Sequence, residues 1–133
     1  ALIPDRENMK DKADAWVQNW DSICKLGKEN NFETIVFLQP VLGTGEKPMS
    51  EWEKYKIETQ GYTSVVPYYT NLQEKIPVLN KKCFAAYDVS EIFNDIEEPI
   101  YITMGHMGDR GNEIVANEIF ILITPHLLEI IHE

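Results

Sequence analysis

Tyr101-Ile102-Thr103-Met104-Gly105-His106-Met107-Gly108-Asp109-Arg110-Gly111-Asn112-Glu113-Ile114-Val115-Ala116-Asn117-Glu118-Ile119 is the stretch on which the fold reading turns. A β-branched run, Ile100 to Ile102, gives way to a glycine-punctuated loop holding His106. A helix is expected to start near Asp109 or Asn112 and to run through Ile114, Val115, Ile119 and Ile123. Loop side chains between a strand end and a helix start face ligand and solvent, so His106 is the first functional candidate. The competing reading is a surface histidine in a helix-capping loop, with Gly105, Gly108 and Gly111 serving backbone geometry.

Working outward, Cys83 to Tyr87 and Thr34 to Leu38 are short, nearly continuous apolar runs. Such runs fit strands buried on both faces of a parallel sheet. Between them Ser50 and Glu53 form a capping box, which predicts a helix from Glu51 that stops before Gly61. Tyr62 to Tyr69 has strand-like residues, but Pro67 suits a helix start, and a helix running to Leu79 is the preferred reading. Tyr62, Tyr68 and Tyr69 could line an apolar pocket, though aromatic residues at a helix start more often join the core. Strand, helix and strand then make a βαβ unit.

Toward the N-terminus, Ala13, Trp16, Val17, Trp20, Ile23, Cys24 and Leu26 recur at helical spacing, which predicts an amphipathic helix over Met9 to Asn30 after an irregular lead-in from Ala1 to Asn8. Asn30-Asn31 closes it, since asparagine tolerates left-handed backbone. Asp88 and Ser90 start a short helical turn holding Ile92 and Phe93. The last helix is bent or interrupted at Pro125, after which Leu127, Leu128, Ile130 and Ile131 continue its apolar face. The architecture expected is a parallel α/β layer of three strands or fewer with helices on either side. So thin a sheet leaves an edge in need of a partner.

With 133 residues and 44% hydrophobic content the chain suits one α/β domain over residues 1–133. A net charge of −10 argues against nucleic acid and anionic membrane surfaces. No run of about 18 apolar residues is seen, so no membrane span is expected, and Ala1 to Lys12 is too charged for a signal-peptide core. Cys24 and Cys83 lack metal-ligand spacing and are too few for a disulfide scaffold, so they are read as small packed apolar groups. His126 and His132 do not share a helix face, which leaves no metal pair. Gly43-Thr44-Gly45-Glu46-Lys47 has the wrong spacing for a phosphate loop, and Pro48 stops Lys47 from opening a helix. The loop Val41 to Met49 that contains it is read instead as a mobile loop at a strand's C-terminal end, where Gln39 could reach a cleft.

His106 to Ala116 resembles the last conserved block of the SGNH (GDSL-type) hydrolases, roughly Asp-x-x-His, a small loop, Gly-Asn and an apolar helix. Phe37-Leu38-Gln39-Pro40 resembles that family's late strand, Met49-Ser50-Glu51-Trp52-Glu53 the helix start after it, and Tyr87-Asp88-Val89-Ser90 the strand before the histidine block. The resemblance implies a flavodoxin-like three-layer parallel sheet of which this chain carries the C-terminal part. It implies a serine esterase or deacetylase chemistry with His106 as general base and Gln39, Met104 and Met107 near substrate. It implies a small-molecule or glycan ester as substrate, no cofactor, and a partner in a missing N-terminal half or a second copy.

The family's aspartate falls on Thr103, which can accept a hydrogen bond from an imidazole but carries no charge. Asp88 could replace that acid, though a helix cap is the simpler role, and Asp109 is read as a cap for the last helix. The family's Gly-Asp-Ser block and oxyanion-hole asparagine are not recognisable. Asp21-Ser22 lies mid-helix, not on the tight turn that such a serine needs. The alternative is a non-catalytic binding or assembly module, and the compartment is left open.

Overall fold

The periodic N-terminal stretch becomes α1, Arg6–Glu29, in the computed structural model, which describes residues 6–60 and 65–132. It buries Met9, Ala13, Val17 and Cys24 along one face, and Asn31 turns the chain out in the left-handed region at φ 61°. The lead-in expected up to Asn8 is therefore already helical from Arg6, while residues 1–5, Gly61 and Tyr62 lie outside the described residues. After α1 come β1 (Ile35–Leu38), α2 (Glu51–Gln60), α3 (Val65–Lys82), β2 (Ala85–Asp88) and α4 (Asp109–His132). The helical reading of the Pro67 region holds, with Tyr69, Leu72, Ile76 and Leu79 buried along α3.

β1 and β2 pair in parallel, Ile35 opposite Ala85 through Leu38 opposite Asp88. Val36, Leu38 and Ala86 join the core formed with α1 and α3. Alternation puts Phe37 and Tyr87 on the other face, where their rings stack with centroids 5.6 Å apart. α4 meets that face at His126, whose Nε2 lies 2.5 Å from the Tyr87 hydroxyl and whose ring packs edge-on against Phe84. Asn80 Oδ1 accepts the Ala86 N–H at 3.0 Å, so a side chain caps an amide of β2.

These elements overturn the three-layer flavodoxin-like sheet and the α/β hydrolase description that went with it. Among the described residues the sheet has two strands of four residues each, and the chain is mainly helical. The reason lies in the third apolar run. Tyr101 bridges to Met107 in antiparallel fashion, the Ile102 N–H donates to His106 O at 2.9 Å, and the Gly108 N–H donates to Ile100 O at 2.9 Å. Ile100 to Ile102 thus divides its backbone groups between a local hairpin and the Glu53 carboxylate, which takes the Ile100 and Tyr101 N–H groups, and adds no strand to the sheet.

A second correction concerns the cysteines. Cys24 and Cys83 form a disulfide that ties α1 to the junction between α3 and β2. By length and composition alone, α4 is long and apolar enough to cross a membrane. Its side chains Phe120, Ile121, Leu127, Leu128, Ile130 and Ile131 are exposed.

A second core lies beneath the hairpin, built from Leu42, Phe93, Ile100, Tyr101 and Met104, with Ile114 and Val115 of α4 against it. At Gly111 α4 passes close to the hairpin. A Cβ there would stand 2.7 Å from Ile100 Cγ2 and 2.8 Å from Met107 Cβ. Gly111→Ala should therefore destabilise the chain by about 1–3 kcal/mol through overpacking, against a small gain in helix propensity. Denaturant unfolding of the variant checks this, and an unchanged midpoint would mean that α4 sits farther from the hairpin.

Candidate active site

The hairpin from Ile100 to Gly108 is held at its tip and at its base. At the tip, Met104 is buried and its carbonyl accepts the Leu42 N–H at 2.9 Å. Met104 thus plugs the second core while His106, two residues on, faces solvent. Thr103 Oγ1 lies 2.7 Å from His106 Nδ1 and accepts the His106 backbone N–H at 3.2 Å. The hydroxyl oxygen can accept from Nδ1–H, the tautomer that leaves Nε2 with a lone pair for a proton. An imidazole so oriented can act as a base, although no negative charge stands behind it.

At the base sits Glu53, fully buried in the first turn of α2. The capping box forms as expected: the Glu53 N–H donates to Ser50 Oγ at 3.3 Å and the Ser50 N–H to Glu53 Oε2 at 2.8 Å. The carboxylate does more than cap. Oε2 also accepts from Lys47 Nζ at 3.1 Å, and Oε1 accepts the N–H groups of Ile100 at 3.0 Å and Tyr101 at 3.2 Å. Burial alone would push this carboxyl up, yet the hydrogen bonds from Ile100, Ser50, Lys47 and Tyr101 outweigh it and hold it below the usual range. Burial, and then the neighbouring Glu53 charge, pushes the Tyr101 phenol far up, so it stays neutral.

The other sequence candidates separate from the histidine. Gln39 is exposed, and its carbonyl accepts from the Tyr69 hydroxyl at 3.0 Å. Tyr69 is buried, and burial pushes its phenol up to about 12, with smaller contributions from Asp88 and Tyr68. Met107 is half-buried against the second core, next to His106 in the chain. Asp88 Oδ1 accepts the Ser90 N–H at 2.9 Å, a turn-capping bond. Asp109 is the exposed first residue of α4.

The segment read as a mobile loop is packed: Val41, Leu42 and Lys47 are buried, and the Glu46 N–H is held by Asn94 Oδ1 at 2.8 Å. The described serines are engaged elsewhere, Ser22 with Gln18 O, Ser50 in the capping box and Ser90 with Gln73, while Ser64 lies outside the described residues. A concavity lined by Met9, Lys10, Pro67, Thr70 and Asn71 contains none of the site candidates. Among the described residues no three His, Cys, Asp or Glu side chains gather as a metal site.

Thr103 and His106 were paired only through the family resemblance, which puts the family's aspartate at Thr103, and Glu53 was read as a cap alone. The signal available was a lysine three residues ahead of the capping box, and nothing in it points to an amide pair 47 and 48 residues away. No family model matches the chain, and no curated protein or solved structure matches it either.

Proposed function

We propose that the chain contributes the general base of an ester-hydrolysing site, with the nucleophilic hydroxyl on polypeptide outside the described residues. The observation that carries this reading is the 2.7 Å contact from Thr103 Oγ1 to His106 Nδ1 on a solvent-facing ring. In such a site Nε2 takes the proton of a serine hydroxyl as its oxygen attacks the ester carbonyl, then returns it to the leaving alcohol. Ester substrates of lipid, sugar or simple alcohol type all suit a base of this sort. The nucleophile-bearing segment would add at the outer edge of β1, since Asn80 caps part of the β2 edge, and would cover the apolar side of α4.

A serine-reactive fluorophosphonate probe tests the proposal. A longer polypeptide that joins these residues to a Gly-Asp-Ser block should be labelled, and the 133 residues alone should not. His106→Ala in the longer polypeptide should slow labelling by about 100-fold or more, as expected for loss of a general base. Equal labelling with and without His106 would overturn it. The exposed apolar side of α4 also favours a second reading, a non-catalytic assembly module, which predicts binding of a partner with no labelling at all.

A further inference from the structure

We infer that Glu53 is the positioning residue for His106, a buried carboxylate clamp that sets where the histidine hairpin stands and whose orientation is fixed by Lys47. Its importance for catalysis rests on the base reading of His106, but the clamp itself stands on its hydrogen bonds.

The helix cap does not account for this side chain. A capping glutamate normally reaches one backbone N–H and stays at the surface. Glu53 is fully buried and receives four donors, two on each oxygen. Oε1 takes the adjacent amides of Ile100 and Tyr101, the two residues that open the hairpin. From there the path to the histidine is short. Tyr101 bridges to Met107, the Gly108 N–H returns to Ile100 O, and His106 O accepts from the amides of Ile102 and Thr103. Moving the base of the hairpin moves the residue that bears the imidazole.

Lys47 decides which way the clamp faces. Its buried ammonium donates to Glu53 Oε2 and to Pro48 O at 2.9 Å. Around the carboxyl group there are only donors, so both positions facing them must be acceptors, which a carboxylate satisfies and an amide cannot. In Glu53→Gln the one carbonyl oxygen should turn to Lys47, because a charge-assisted bond is roughly twice as strong as a neutral one. The new NH2 group then faces the amides of Ile100 and Tyr101, donor against donor, and the hairpin base is released.

Nitrogen-detected NMR of the histidine rings in the whole chain, with amide hydrogen exchange, tests the clamp. In Glu53→Gln the amides of Ile100 and Tyr101 should exchange about 10-fold faster or more, the loss of one net hydrogen bond. The His106 Nδ1 signal should move toward that of a free imidazole as the Thr103 contact loosens. His126, held by Tyr87, should stay put as an internal control. Adding Lys47→Met removes the competing cation, lets the glutamine carbonyl face the hairpin, and should restore the His106 signal.

A folded Glu53→Gln chain with an unchanged His106 signal, or a shift that the double variant does not reverse, overturns the inference. Should Glu53→Gln not fold, the unaltered chain decides: Ile100 and Tyr101 amides as fast as exposed loop amides overturn it, and amides as slow as those of the β1–β2 ladder support it. None of these readouts needs substrate or nucleophile. Failure of the labelling experiment would therefore strike the base reading and leave the clamp standing, and the reverse holds as well.

Discussion

Reduction of the Cys24–Cys83 bond should lower the free energy of unfolding by about 4 kcal/mol, the loop-closure entropy regained when a link across 59 residues of sequence separation is cut. That is a large part of the ~5–15 kcal/mol that usually separates folded from unfolded chains. The bridge joins the C-terminal half of α1 to the two-residue link between α3 and β2, so the loop it closes contains β1, α2 and α3. Opening it leaves α1 held by apolar packing of Ala13 and Val17 against α3 and by exposed ion pairs such as Lys82 with Asp21 at 3.1 Å. Such exposed pairs contribute little. Unfolding in denaturant with and without a thiol reductant measures the effect, and a Cys24→Ala, Cys83→Ala chain should match the reduced protein. If reduction leaves the midpoint where it was, the bridge closes a loop that the unfolded chain already keeps closed.

The contrast between Asn31 and Cys24 shows what a sequence carries and what it does not. Asn31 ends α1 in the left-handed conformation expected of it, because the requirement is local. The same is true of the Ser50–Glu53 box, of the apolar face of α3, and of the two short strands that pair as Ile35–Leu38 and Ala85–Asp88. Whether Cys24 meets Cys83 depends on how α1 lies against α3, and no spacing between two isolated cysteines states that.

The fold class failed at one place for a related reason. Ile100 to Ile102 has the residue types of a strand, but the chain turns back between Thr103 and His106, and the run pairs with Met107 before it can reach the sheet. At the site, His106 and Thr103 were legible as neighbours in a loop. Met104 was read as substrate-facing, and it is the plug of the second core. The Val41 to Met49 segment reads as mobile, yet Leu42 is drawn inward by Met104, far along the chain, and Lys47 by the buried Glu53 six residues on.

Removing the Glu53 side chain should cost about 3–5 kcal/mol, the range for breaking a buried ion pair by deleting one partner. A helix cap alone is worth about 1 kcal/mol, so the excess measures the role that capping does not explain. Glu53→Ala strands Lys47 Nζ with Pro48 O as its remaining acceptor and leaves two hairpin amides without a carboxylate. A further Lys47→Met change should return part of the loss by removing the buried charge. If Lys47→Met adds its own full cost to that of Glu53→Ala, the two side chains act independently and the ion pair contributes nothing.

The same side chain gives the stability a pH dependence of defined sign. Its folded carboxyl group sits below its ordinary value, so the stabilisation is fully present above the unfolded value near ~4.3 and is lost as the pH falls through the folded one. Asp14, Asp21 and Glu51 are lowered by their lysine partners in the same direction, but they remain in the variant and cancel in the comparison. Between about pH 5 and pH 3 the unaltered chain should therefore lose stability more steeply than Glu53→Ala, so that their unfolding midpoints converge in acid. Parallel curves across that interval would show that Glu53 keeps its proton affinity on folding, and that the four donors around it do no more than replace the water it gave up.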